Sequence, residues 1–261
     1  MFFSIITVSY NSEKTIERTI KSVLAQSFHD FEYIIVDGAS GDSTLDIIKK
    51  YEPLFEDRMK WISEPDKGIY NAMNKGIKLS SGAIIGIVNS DDWLEVDALS
   101  VLAGYLQDDS SNFNKILTGE MMFHYEDGTT HLFSTSVEQY EYYSKRFRMG
   151  LNHPATFVPR IIYDQIGLFD ERFSLYADAD FFIRCYEQNV GVCFVNKVLS
   201  NMSDGGASNK VSKKMLSDGL LTIRKHARST SQMILLSLKL YILLFFKKII
   251  PMSLVRVYRN R

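Results

Sequence analysis

Apolar positions along the first hundred residues alternate between unbroken runs and helical spacing. Residues 2–8 read as a buried strand, and Ile16, Ile20, Val23 and Leu24 recur on one helical face after Ser12, a candidate cap. Residues 31–36 form a second strand ending at Asp37. The turn Gly38, Ala39, Ser40, Gly41 follows, then a helix carrying Leu45, Ile47, Ile48 and Tyr51. A short strand at 59–62 precedes a helix with Ile69, Met73 and Ile77 on one face, and residues 83–88 form the next strand. Repeated β-α-β units of this length predict a mostly parallel central sheet flanked by helices, with right-handed crossovers.

From about Lys115 the pattern changes. Residues 116–125 and 129–133, separated by Glu126, Asp127 and Gly128, predict a hairpin on an Asp-Gly turn. A polar, aromatic stretch with Tyr140, Tyr142, Tyr143 and Phe147 leads to a strand at 155–158, a helix at 160–166 and a further helix at about 180–188. Two short strands follow, at 192–195 and 198–202. With no linker, repeat or low-complexity tract, residues 1–218 are expected to be one domain whose pattern changes between 1–114 and 115–218.

Composition adds two constraints. The two cysteines, Cys185 and Cys193, have no metal-ligand spacing and favour a reducing location. Met1, Phe2, Phe3, Ser4 reads as the start of a strand rather than a signal peptide. The net charge of -1 hides an asymmetry: residues 219–261 carry nine Lys or Arg and no acid, leaving 21 bases and 31 acids in 1–218. The tail is therefore +9 and the body -10. Within the tail, residues 234–246 are strongly apolar around Lys239, with Lys247 and Lys248 beyond. Thirteen helical residues reach roughly 20 Å, short of a ~30 Å hydrocarbon core. An amphipathic helix lying on an anionic membrane surface fits better than a span, and a core or dimer helix stays open. Nucleic acid is disfavoured, because the bases flank apolar rather than polar aromatic sequence.

In a parallel sheet the strand ends at Thr7, Ser9 and Asn11, at Asp37, and at Asn89, Ser90, Asp91 and Asp92 share one edge, where ligands bind. Adjacent carboxylates there suit a hard divalent cation and the phosphates it carries; alternatively Asp92 caps a helix entering Trp93, Leu94 and Val96. Asp37 starts an Asx-turn or accepts a hydrogen bond from a nucleobase. Asp178 and Asp180, on residue chemistry alone, cap a helix and bind its N-terminal amides.

The runs Thr7-Val8-Ser9-Tyr10-Asn11, Val36-Asp37-Gly38-Ala39-Ser40, Ser63-Glu64-Pro65-Asp66-Lys67-Gly68-Ile69-Tyr70-Asn71 and Asn89-Ser90-Asp91-Asp92 resemble, in order, the blocks of family 2 glycosyltransferases, especially those making bacterial exopolysaccharides. The resemblance covers about residues 1–210. It implies an α/β fold of the GT-A nucleotide-diphospho-sugar transferase type. Thr7, Ser9 and Asn11 would then line the nucleotide pocket, Asp37 would read uracil, and Asp66 would sit near ribose, base or diphosphate. Asn89-Ser90-Asp91 stands at the family's DxD motif, which gives Asp91 the metal position for Mn2+ or Mg2+ and puts Asn89 where the first acid usually is. Asn71, where relatives often carry Asp, is expected to be structural.

The blocks Asn152-His153-Pro154, Gly167-Leu168-Phe169-Asp170 and Tyr176-Ala177-Asp178-Ala179-Asp180 resemble the family's acceptor side. They imply Asp178 as general base, with Asp92, His153, Asp180 and Ser208 as further donor or acceptor contacts. Gly205-Gly206-Ala207-Ser208 resembles a closing loop. The expectation is an inverting, metal-dependent hexosyl- or N-acetylhexosaminyltransferase using a nucleotide-sugar donor, expected to be UDP-linked, and a lipid-linked glycan acceptor. It would be peripheral on the cytoplasmic face of the membrane, with a homodimer open. A sugar-nucleotide pyrophosphorylase, disfavoured by the absence of a Gly-rich loop after the first strand, and an inactive sugar- or lipid-binding scaffold are the alternatives.

Overall fold

The computed structural model describes residues 2–204 and 212–249, with side chains to residue 244 in the last helix. Strand β1 (Phe3–Ser9), helix α1 (Ile16–Leu24), β2 (Phe31–Asp37), α2 (Thr44–Tyr51), β3 (Met59–Ser63), α3 (Ile69–Leu79) and β4 (Ile84–Ile87) realise the expected β-α alternation. Every residue of β1 and β2 is buried, because helices cover both faces of the sheet. Side chains on these strands alternate between two cores. Phe3, Ile5, Tyr33 and Ile35 face α1 and α2, while Ile6, Val8, Ile34 and Val36 face α3.

Then come β5 (Trp93–Leu94), α4 (Ala98–Asp108), β6 (Lys115–His124), β7 (Thr130–Phe133), α5 (Val137–Ser144), β8 (Thr156–Pro159), α6 (Arg160–Ile166), α7 (Ala177–Glu187) and β9 (Gly191–Ser203). Among the described residues nine strands form one sheet, in the order β3-β2-β1-β4-β8-β6-β9-β5, with β7 paired to β6. The first four strands are parallel. The second half is mixed, since β8 runs antiparallel to both β4 and β6. Gly86 lets β4 and β8 approach closely, because a Cβ there would collide with the Phe157 ring.

Four local expectations are corrected. Asp92 caps no helix: Trp93 and Leu94 pair with Asn201 and Ser200 of β9, and the next helix starts at Ala98 with Asp97 at its cap position. Ser12 is likewise not the cap of α1, where Thr15 stands; Ser12 Oγ meets Ser90 Oγ at 2.8 Å instead. The two strands near 192–202 are one bent strand, with a register irregularity opposite Thr118 and Glu120. The aromatic stretch contains helix α5, started by a capping box between Ser136 and Gln139.

Helix α8 (Lys213–His226) runs across residues 218 and 219, the boundary expected between body and tail, and packs on the start of α7. Helix α9 (Thr230–Ile249) has 20 residues, longer than the 13 foreseen, and seats Leu240 against Gly219 of α8. Among the described residues no helix is long and apolar enough to cross a membrane.

Candidate active site

Register brings the strand ends together: Ser9 lies opposite Asp37, and Asp37 opposite Ser63. The Asp37 carboxylate is fully buried and accepts from Ser9 Oγ (3.0 Å), Ser40 Oγ (2.6 Å), the Ser40 amide (2.9 Å) and Ser63 Oγ (2.7 Å). Four donors match the acceptor capacity of a carboxylate, so Asp37 braces the ends of three strands. Thr7 is fully buried too, accepting from Tyr33 Oη at 3.0 Å on the α1 side of the sheet. The surface of this corner is made by other residues. Asn11, at a φ of 50°, accepts from the Gly41 amide, and Tyr10 is 65% exposed. Gly38 has no room for a side chain, since a Cβ would lie 2.5 Å from Asp66 Oδ2 and 3.3 Å from Tyr10 Cδ2. Tyr10, Gly38 and Asp66 therefore meet at one corner. Tyr10 was not among the expected contacts, although it stands inside the first block.

The turn after β4 holds the acidic pair. Arg18 of α1 stacks on Trp93 at 3.7 Å and donates to the Asp91 carbonyl at 2.7 Å, and Ser203 Oγ donates to that carbonyl at 2.8 Å. Asp92 is buried, its carbonyl held by Thr19 Oγ1 at 2.6 Å. Burial first, and then the adjacent Asp91, hold its carboxyl well above the ordinary carboxylate range. Asn89 Nδ2 reaches Asp92 Oδ2 at 3.3 Å, yet Asn89 Oδ1 and Asp92 Oδ1 are buried with no partner. These orphaned oxygens lie two residues before and one residue after Asp91 in the same turn, and hard oxygen donors of this kind suit Mg2+ or Mn2+ when substrate phosphates supply the remaining ligands. Among the described residues no group of three or more His, Cys, Asp or Glu side chains forms a self-sufficient metal cage.

Asp178 lies in the first turn of α7. Its Oδ1 accepts from Tyr70 Oη (3.1 Å), at the start of α3, and from the Ala179 amide (2.8 Å). Burial raises its pKa above the ordinary aspartate value, opposed by His153 and by these two donors. His153 sits between the rings of Phe169 and Phe182, and burial lowers its pKa, favouring the neutral imidazole. Asp180, two residues along, faces the opposite way. It is fully buried and bonded by Arg184 of its own helix (3.0 Å) and by Lys225 (2.9 Å) and His226 (3.0 Å), which tie α7 to α8; together they hold its pKa below the usual value against burial. Asn71 donates to Glu171 at 2.9 Å, a structural tie between α3 and the 167–173 segment. Ser208 and the Gly205-Gly206 loop lie outside the described residues.

The sequence model for Glycosyl transferase family 2 matches residues 4–161, more than half of the chain. The chain belongs to this family. The PGL/p-HBAD biosynthesis glycosyltransferase of Mycobacterium bovis is 28% identical over 218 residues, covering 81% of each chain. Among solved structures, S. aureus TarS 1-349 in complex with UDP-GlcNAc superposes with a TM-score of 0.68 at 21% identity, covering 92% of this chain and 72% of that one. In a longer TarS chain the match spans 40% of its length. The mannosyltransferase PcManGT from Pyrobaculum calidifontis, in complex with GDP-Man and Mn2+, gives a TM-score of 0.62 at 15% identity, covering 87% of this chain and 64% of that one. The family 2 glycosyltransferase thus has the GT-A-type α/β fold that its sequence blocks imply, with a mixed sheet in the second half.

Proposed function

We propose that this family 2 glycosyltransferase moves a sugar, with inversion, from a UDP-linked donor to a lipid-linked glycan, Asp178 acting as base and Asp91 as the principal ligand of a divalent cation. The observation that carries the reading is the raised proton affinity of Asp178 on a helix that Tyr70 fastens to the carboxyl edge of the sheet, where the 89–92 turn with its orphaned oxygens also lies. TarS, bound to UDP-GlcNAc, and PcManGT, bound to GDP-Man and Mn2+, share the fold and support a nucleotide-sugar donor and a cation.

The roles of the chain's own residues follow from their chemistry. Tyr10 offers an exposed ring for stacking a base, with Asp66 at its side. Asp178 takes the proton of the attacking hydroxyl; an ordinary aspartate is a weak base near neutral pH, and burial makes this one stronger. Inversion needs that single carboxylate, on the face opposite the leaving nucleotide, and no covalent intermediate. His153 packs against Phe169 and Phe182 near this carboxylate, and burial lowers its pKa. Asp91, with Asn89 and Asp92 in the same turn, would hold Mn2+ or Mg2+, which when bound would supply Lewis-acid stabilisation of the departing diphosphate.

Helix α9 supports a peripheral seat on an anionic membrane. Ile234, Leu235, Leu238, Tyr241 and Ile242 are each about half exposed or more, on a helix with exposed Lys239 and in a tail of nine bases and no acids. The donor-site reading is tested by calorimetric titration of UDP with and without Mn2+. Binding that strengthens at least about tenfold with the metal, and loses that gain in Asp91→Ala, is expected; binding indifferent to both overturns the metal role.

A further inference from the structure

The base is gripped from a second side, by a helix outside the sequence blocks that carry the family resemblance. Asp218 of α8 is buried, and its Oδ2 accepts three successive backbone amides: Ser174 (2.8 Å), Leu175 (2.5 Å) and Tyr176 (3.2 Å). Consecutive N–H groups turned onto one oxygen make an anion-binding concavity, and an ionised acceptor roughly doubles the strength of each bond. Tyr176 is the cap position of α7, two residues before Asp178. Thr222 Oγ1 holds the Asp218 carbonyl at 2.9 Å, and Lys225 and His226 pin Asp180 from the same helix. The path from Asp218 to the base is therefore one loop and half a helical turn.

We propose that Asp218 is a positioning residue for the acceptor base: it fixes the loop that sets the direction of α7 and so aims the Asp178 carboxylate at the incoming hydroxyl. This rests on the reading of Asp178 as base. Tyr70 fixes the carboxylate from α3, and Asp218 fixes the helix that carries it. Alignment of reacting groups is sensitive to about 1 Å, where rate losses reach about 100-fold. Because Asp218 bonds the 174–176 loop, and the strand ends at Asp37 and Asn89 are held by other partners, its loss should spare donor binding.

The test is steady-state release of UDP from a UDP-sugar donor in Mn2+ by the full chain and by Asp218→Ala, Asp218→Asn and Asp178→Asn, with UDP affinity measured on each. Asp218→Ala is expected to lower kcat by about 10- to 100-fold at an unchanged donor KM and UDP affinity. Asp218→Asn keeps one acceptor oxygen for the three amides and is expected to recover most of that loss. An unchanged kcat in Asp218→Ala overturns the proposal, as do kcat and UDP affinity falling together, or Asp218→Asn behaving no better than alanine. If alanine does not fold, an asparagine variant that binds UDP but loses kcat as fully as Asp178→Asn also overturns it. Full turnover by Asp178→Asn defeats the underlying base assignment instead, whatever the Asp218 variants do.

Discussion

Tyr70 Oη donates to Asp178 Oδ1 at 3.1 Å, binding the first turn of α3 to the first turn of α7 across 108 residues of sequence. Because α3 follows β3, this bond puts Asp178, the proposed base, at the edge where β1, β2 and β4 end. It also favours the charged carboxylate, against the burial that raises the pKa.

Tyr70→Phe removes that donor. The Asp178 pKa is expected to climb further, so the acid limb of the pH–rate profile moves to higher pH, with a stability loss of about 1 kcal/mol. A limb unmoved or displaced to lower pH would contradict the geometry.

Asp178→Asn should separate activity from stability. A carboxyl whose folded pKa is raised binds more protons in the native than in the unfolded state, so stability falls as pH rises from the unfolded value, 3.8, through the folded one. The asparagine variant is therefore expected to melt higher than the wild type at pH 7, with the advantage fading below about pH 4. Its turnover should fall by at least about 100-fold. Differential scanning calorimetry at the two pH values, beside UDP-release kinetics, checks both halves.

Asn71→Asp sets a carboxylate against Glu171, to which Asn71 Nδ2 now donates. A loss of about 1 kcal/mol is expected in urea unfolding at pH 7 and low salt, shrinking in high salt because Glu171 is exposed. This contact explains why an amide suits the position.

Lys239→Glu combined with Leu238→Ser reverses charge and removes apolar surface on α9. Co-sedimentation with vesicles containing phosphatidylserine is expected to drop at least about tenfold, with UDP affinity unchanged. Equal sedimentation of the variant would place the membrane contact elsewhere.

Much of this was legible in the sequence. The strand from Phe31 to Asp37 could be read because a sheet covered on both faces demands an apolar run, and the convergence of Ser9, Asp37 and Asn89 follows from parallel pairing alone. What stayed hidden depends on distant partners. Trp93 and Leu94 read as a helix start because their strand partners, Asn201 and Ser200, lie a hundred residues on. By residue chemistry alone Asp178 and Asp180 look equivalent; in the fold Tyr70 bonds Asp178, while Lys225 and His226 of α8 take Asp180 into a buried ionic cluster. Asp37 looked like a base-reading acceptor, while its four donors come from three separate segments. Helix α5 was readable from Ser136 and Gln139, but its aromatic composition obscured it.

The most direct measurement is UDP release from a panel of UDP-sugars by the purified chain in Mn2+, alongside Asp178→Asn. The account predicts metal-dependent turnover of at least one donor, abolished in the variant while UDP binding persists. Undiminished turnover in Asp178→Asn, or neither binding nor turnover of any nucleotide sugar by the wild-type chain, would contradict it.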